Sequence, residues 1–260
     1  MSSLYKRFRI RYEGVKRLLA DKYHFDAIRK SEIEAAKTPV RTDIINFLLG
    51  SIGKQQTNYL EIGVRNPAIN FDKIKSSTKY SVDPGVEFKE NPVDFKLTSD
   101  EFFDQVRAGK ILTPQVRFDV IFVDGLHTAD QTDRDIQNSL DFITDNGFII
   151  LHDCNPPTES HARENYEYWA SPAMDYWSGT TWKAFFKYRR NKSLYSCCVD
   201  TDWGVGIISK STNLGPASLV DNPYYEYAVL NNYRNESLNL VSFEQLRAAV
   251  NAMKKVHGVV

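Results

Sequence analysis

Two apolar runs, at 120–123 and 148–151, each stop abruptly in polar residues: Asp124, Gly125, Leu126 and His127 after the first, His152, Asp153, Cys154 and Asn155 after the second. Between them Ala129, Ile136, Leu140 and Ile143 recur at helical spacing, and Asn146-Gly147 is placed to stop the helix. The unit over 118–155 therefore reads strand, helix, strand. A helical crossover makes the two strands parallel, so their ends emerge at one edge of a sheet. In open parallel sheets ligands bind outside the carboxyl ends of the strands. Asp124, His127, His152, Asp153 and Asn155 all fall there, and this edge is the expected active site.

The same patterning extends both ways. Leu4, Phe8, Tyr12, Val15 and Leu19 fall three or four apart among Lys6, Arg7, Arg9, Arg11, Lys16 and Arg17, which predicts a basic amphipathic helix packed on the main domain or a second subunit, with a membrane surface as the other reading. A helix over 42–52 carries Ile44, Ile45, Leu48, Leu49 and Ile52 on one side and breaks at Gly53. The runs YLEIGV at 59–64 and KYSVDPG at 79–85 predict strands, the first turning at Gly63 and the second ending in Asp83. A carboxylate about 20 residues after a glycine turn suits the two hydroxyls of a ribose. Gly63 stands alone rather than in a G-x-G-x-x-G set, which favours a nucleoside without a pyrophosphate over a dinucleotide; an ordinary turn with a solvated Asp83 is the plainer alternative. Residues 95–97 predict a strand leading to a helix capped by Thr98 or Ser99, and Ser99 and Asp100 would then lie near the base of a bound nucleoside.

Beyond Asn155 a polar stretch carries Tyr166, Tyr168, Trp169, Tyr176 and Trp177, the natural position for a lid or acceptor-binding insertion. A helix with Trp182, Phe185 and Phe186 inward follows, then two strands at 193–199 and 204–209, spaced as an antiparallel hairpin. Cys197 and Cys198, adjacent in the first of these, are expected as core and edge residues rather than ligands. The tail ends in a helix with Phe243, Leu246, Val250 and Met253 on one face.

Composition narrows the class. The 260 residues, 42% hydrophobic and 25% charged, suit one α/β domain with additions. Thirty-three basic residues balance thirty-three acidic ones, so no overall field favours nucleic acid or an anionic membrane. No apolar run approaches membrane-spanning length and the start of the sequence lacks a signal-peptide pattern, which makes a cytoplasmic location the expectation; an oligomer is left open.

Four parallel strands over 59–151 with one more at 95–97, followed by a helix and a terminal hairpin, resemble the Rossmann-like seven-stranded sheet of class I S-adenosylmethionine-dependent methyltransferases. Glu61-Ile62-Gly63 resembles a shortened first motif of that superfamily, Asp83 its ribose-binding acid, and 118–124 its fourth strand. Within it, YLEIGV, VDP, FDVIFVDGLH and IILHDCNPP in combination are similar to methyltransferase family 24 and to a bacterial group often found near surface-glycan genes. The resemblance implies S-adenosyl-L-methionine as cofactor, with Glu61, Gly63, Asp83, Ser99, Asp100 and Asp124 around it. It further implies a methyltransferase domain at 42–212, with a lid at 153–178, an N-terminal helical extension at 1–41 and a C-terminal helical segment at 213–260. In catechol and macrolide-sugar O-methyltransferases an acid ends the fourth strand, a base lies three residues on, and an acidic pair or Asp-Asn ends the fifth. Asp124, His127 and Asp153 match that pattern, while His152 stands where the sugar enzymes carry glutamate and Cys154 where the catechol enzymes carry asparagine.

Asp124 and Asp153 with waters would suit Mg2+, and His152 as a third ligand shifts the preference toward manganese, iron or zinc. His127 is then the expected general base for a hydroxyl acceptor, a sugar as nucleotide-sugar or surface glycan. Two other classes share parts of the pattern: a binding protein of glycan assembly that kept the fold without catalysis, and an NAD(P)-dependent oxidoreductase, against which the missing glycines and closing hairpin argue.

Overall fold

The computed structural model describes residues 3–168 and 171–256; Trp169 lies outside them, as do the side chains of Leu19 and Met253. The strands are β1 (Asn58–Ile62), β2 (Thr78–Val82), β3 (Phe118–Val123), β4 (Ile143–Leu151), β5 (Tyr195–Val199), β6 (Val205–Ser209) and β7 (Leu240–Val241). They form one sheet in the order β2-β1-β3-β4-β6-β5-β7. β1 to β4 run parallel, β6 is antiparallel to β4 and β5, and β7 lies parallel to β5. The helices are α1 (Ser3–Ala20), α2 (Lys22–Ala35), α3 (Arg41–Ser51), α4 (Ser99–Arg107), α5 (Ala129–Phe142), α6 (Thr181–Arg189), α7 (Tyr227–Asn232), α8 (Arg234–Leu238) and α9 (Phe243–Val256).

The central strands carry apolar residues on both faces, as in β3 and at 148–151 of β4, because both sheet faces are covered. Alternation divides them: Leu60, Ile62, Ile121 and Val123 pack with Phe102, Phe103 and Phe185 of α4 and α6, whereas Tyr59, Val120 and Phe122 pack with Ile44, Leu48 and Leu246 of α3 and α9. The chain leaves β1 toward β2 and returns to β3 on the other side, so the order reverses between β1 and β3. A crevice opens at such a point, outside the carboxyl ends of the strands. The hairpin adds to this edge: β5 runs the same way as β4, so its turn into β6 lands beside the end of β4.

The seven-stranded sheet and closing hairpin are as expected, with three differences of detail. The strand expected at 95–97 is reduced to one parallel bridge, Val82 to Phe95, and the seventh strand is instead β7 at the far edge. Asn146-Gly147 does not stop α5. The helix ends at Phe142, and Ile143, buried opposite Phe118, already belongs to β4, because pairing there satisfies its backbone and covers its side chain. Cys197 and Cys198 are both buried, on opposite faces, since β7 covers the strand that would have been the edge.

The first helix is a larger departure. Every described side chain from Leu4 to Arg17 is exposed, so α1 is not packed on the domain. No helix among the described residues is long and apolar enough to cross a membrane. The contrast between buried and exposed phenylalanines is testable by urea denaturation. Phe103 is fully buried with ring centroids 5.3 Å from Phe102 and 5.4 Å from Phe142, and Phe103→Ala should cost about 3–5 kcal/mol. Phe8→Ala should stay within about 0.5 kcal/mol.

Candidate active site

The first turn of the crevice is set by Gly63. It adopts φ +81°, and a β-carbon there would collide with the backbone carbonyl of Asp124, so only glycine lets the ends of β1 and β3 close together. Asp124 continues β3, its N–H donating to Ile62 O at 2.9 Å, and His152 continues β4, its N–H donating to Val123 O at 3.1 Å. Asp153 then turns back in the left-handed region at φ +59°, a conformation that aspartate tolerates better than most residues.

These positions bring four expected residues together. His127 Nε2 lies 3.3 Å from Asp124 Oδ1, and its Nδ1 lies 3.3 Å from Asp153 Oδ2 and 3.1 Å from the carbonyl of Trp177. Both ring nitrogens face groups that only accept, so both carry protons. Burial opposes that charge, but Asp153 and Asp124 override it and raise the pKa to about 9. His152 Nδ1 sits 3.2 Å from Asp124 Oδ1 and 3.0 Å from Asp153 Oδ2. Burial again works against protonation, and the two carboxylates again win, raising its pKa well above the ordinary imidazole value. In return burial, which would raise the pKa of Asp124, is overcome by His152 and His127, and the carboxyl is held well below its usual range.

Two participants were not singled out in the sequence. Arg41, at the first turn of α3, places Nη1 2.8 Å from His152 Nε2 and Nε 3.9 Å from Asp124 Oδ2. Asp202, in the hairpin turn, accepts the Arg41 backbone N–H at 2.8 Å and its Nη1 at 3.2 Å, and lies 3.3 Å from His152 Nε2. Burial would raise the Asp202 pKa, but His152 and Arg41 hold it at about 2. The signal for Asp202 was available: an antiparallel hairpin after β4 must return its turn to the active edge. Nothing in the sequence marks Arg41.

The remaining expected residues divide. Glu61 is buried, its Oε2 accepting Tyr59 OH at 2.6 Å and Asn70 Nδ2 at 2.9 Å, and burial raises its pKa to about 7. Asp83 is buried, not solvated, and accepts Arg65 N at 2.8 Å and Gly85 N at 2.6 Å, which fixes its carboxylate at the end of β2. Ser99 and Asp100 face α5: Gln131 Nε2 donates to Ser99 Oγ at 3.1 Å, and Arg134 pairs with Asp100 at 3.1 Å. The α4 cap is Thr98, in a capping box with Glu101.

The insertion closes over His127. Trp177 stacks on the imidazole with centroids 5.3 Å apart, Tyr176 stacks on Trp203 at 5.1 Å, and Arg163 gathers the carbonyls of Ser160, Met174 and Tyr176 at 2.8–3.0 Å. Gly179, at φ +60°, leaves no room for a β-carbon against the His127 carbonyl, and Thr180 Oγ1 accepts the Ala129 N–H at 2.7 Å in place of a local cap for α5. Trp182 is a core residue, T-shaped against Tyr227.

As a donor set, Asp124, His152 and Asp153 each offer one ligand atom, all within 4.8 Å of one another. Two carboxylates and an imidazole at that spacing could hold a divalent cation, for which His152 would have to give up the proton its carboxylate neighbours favour, and the nitrogen would tilt the preference toward manganese, iron or zinc over magnesium.

Residues 69–154 match the family model of a methyltransferase domain. No curated protein matches the sequence. Among solved structures, the O-methyltransferase from Bacillus cereus in complex with SAH is 14% identical, with 72% of this chain and 89% of that one covered, at a TM-score of 0.41. The SAH-bound Podospora anserina methyltransferase PaMTH1 is 15% identical, with 76% and 96% covered, at 0.42. MycE, a methyltransferase of mycinamycin biosynthesis solved with Mg, SAH and mycinamycin VI, is 13% identical, with 66% and 48% covered, at 0.38. These likenesses are distant; the fold assignment stands on the sheet order and the family match.

The His127 pairing predicts a pH dependence. Its folded pKa, about 9, exceeds the ordinary 6.5, so the stability it contributes is full below about pH 6.5 and lost as the pH rises through about 9. Thermal denaturation of ion-free protein should show a melting temperature that falls across that window, and a shallower fall in His127→Gln. The same slope in both proteins would show that the pairing contributes nothing.

Proposed function

We propose that this chain, a class I methyltransferase by its sheet order and the methyltransferase domain it carries, uses S-adenosylmethionine to methylate a hydroxyl group, with a sugar as the acceptor. The observation that carries the reading is the convergence of Asp124, His127, His152 and Asp153 at the strand ends, beside the point where the sheet order reverses. Clustered titratable groups with opposed pKa shifts are what proton transfer requires.

Bound S-adenosylmethionine supplies an electrophilic methyl group, and transfer from it is governed chiefly by alignment of the nucleophile. Asp83, held rigidly by two backbone N–H groups, would accept the ribose hydroxyls, and Gly63 keeps that edge low enough for close approach. Glu61 would lie beneath, with one of its oxygens already shared by Tyr59 and Asn70. A divalent ion, when bound by Asp124, Asp153 and His152, supplies positive charge that acidifies a hydroxyl. His127 would take the proton. To do so it must first be neutral, and its two carboxylate partners oppose that in the ion-free arrangement. Trp177 holds the imidazole plane and keeps water from one face.

Support for a sugar comes from the surroundings. An open depression of about 370 Å³ is lined by Lys30, Glu34, Asn155, Asp200, Asn231 and Arg234, groups suited to many hydroxyls, while Asp124, His127 and Asp153 do not line it. Tyr168 of the insertion is exposed, whereas Tyr166, Tyr176 and Trp177 are engaged, Tyr166 against Trp177 at 5.4 Å, Tyr176 against Trp203 and Trp177 against His127, and are less free to stack on a ring.

Calorimetry with S-adenosylhomocysteine should show binding to the wild type and a loss of about 10- to 100-fold in Asp83→Ala, the worth of a charged hydrogen-bond pair. Binding of NAD instead would overturn the cofactor. In a methyl-transfer screen of nucleotide-sugars, oligosaccharides, catechols and amines, sugars should be the substrates. His127→Ala should lower kcat by about 10²- to 10⁴-fold. Asp124→Asn and Asp153→Asn should lose activity far more than cofactor affinity. Methylation of catechols alone would refute the sugar, and full activity after exhaustive chelation would refute the ion.

A further inference from the structure

α1 presents an exposed apolar stripe: Leu4 is 79% exposed, Phe8 70%, Tyr12 60% and Val15 54%. At 3.6 residues per turn these four fall within about 80° of the helix circumference. Arg11 borders the stripe on one side and Lys16 on the other, and Lys6, Arg7, Arg9 and Arg17 occupy the rest with Glu13 and Ile10. Six basic residues stand against one acid, so α1 carries a surplus of positive charge and the remainder of this neutral chain an equal negative one.

We propose that α1 docks on an anionic phospholipid bilayer, its apolar stripe seated at the boundary of headgroups and acyl chains and its basic borders on the phosphates. Three arguments select that occupant. A polyphosphate backbone would satisfy the arginines and lysines but leave Leu4, Phe8 and Val15 in water. Pairing of α1 with its own copy would cover the stripe but set two strongly positive helices side by side, where like charges repel. A bilayer surface takes both faces at once, because long basic side chains extend toward the phosphates while their stems cover apolar surface. The helix is connected to the catalytic body through α2, which Asp21 caps, and α2 is tied to the insertion by Ser31 Oγ to His161 Nε2 at 2.9 Å and by Lys30 Nζ to the Pro157 carbonyl at 3.4 Å. The inference does not depend on which group is methylated.

The test is co-sedimentation of the full chain with vesicles of pure phosphatidylcholine and with vesicles containing about 30% phosphatidylglycerol. Binding to the anionic vesicles should be at least about tenfold tighter, and should weaken at least about fivefold at high salt. A Leu4→Glu, Phe8→Glu double variant should lose about tenfold or more, and Arg9→Gln, Lys16→Gln several-fold. Because those side chains are exposed, melting temperature should not move, which separates lost docking from lost folding. Equal binding to both vesicle types, no binding to either, or full binding by the double variant would each overturn the proposal. An oligomer in solution that Phe8→Glu abolishes, without vesicle binding, would assign the stripe to a second copy instead.

Discussion

Two carboxylates that cannot be left alone organise this molecule. Asp124 and Asp153 stand at the ends of adjacent parallel strands, where Val123 pairs with Leu151, and Asp153 is almost fully buried. Charges so placed cost several kcal/mol each unless they are matched. The match is assembled from separate parts of the chain: Arg41 from α3, His127 from the loop after β3, and His152 from the end of β4. Asp202 joins because Arg41 and His152 then need an anion of their own. Charge compensation thereby ties α3, the hairpin turn and the insertion to one point, and removing any one partner leaves another buried group unpaired.

The same arrangement bears on the proposed chemistry. A protonated imidazole bridging two acids is a stable resting arrangement: the carboxylates raise the pKa of His127 and His152, and the imidazoles hold Asp124 below its usual range. Added positive charge at the carboxylates changes the balance in one direction only: it weakens the hold on the histidine protons. Trp177 and Gly179 fix His127 from the insertion side of this cluster.

What the sequence revealed and what it hid follow from the range of the interactions. The β3-α5-β4 unit and its polar ends were legible because apolar runs and abrupt polar stops are local signals. Asp83 was legible from its spacing to Gly63, although its burial was not. Arg41 was not legible, since it meets His152 across 111 residues and nothing local distinguishes it from the other arginines near it. Phe95 carries strand-like neighbours yet forms one bridge only, because Asp94 is spent on Ser81, accepting both its N–H and its hydroxyl. Ile143 fits the helical period but pairs with Phe118, an instance of tertiary contact overriding periodicity.

α1 shows a different limit. Its spacing correctly announced an amphipathic helix, but periodicity states only that two faces differ, never what lies against them. Packing on the domain or on a second subunit was the ordinary expectation, and within this chain every described side chain from Leu4 to Arg17 is exposed. The balanced total of charges is equally silent about α1. A sum of zero over the chain argues against a general attraction to anions, yet a field falls off within about 8–10 Å in physiological salt, so a surface responds to the charge near it and not to the sum. Concentrating the basic residues on one projecting helix, and the compensating acids elsewhere, gives the molecule two surfaces of opposite preference. α1 combines its charge with exposed apolar side chains, and that combination, rather than charge alone, distinguishes a bilayer from other polyanions.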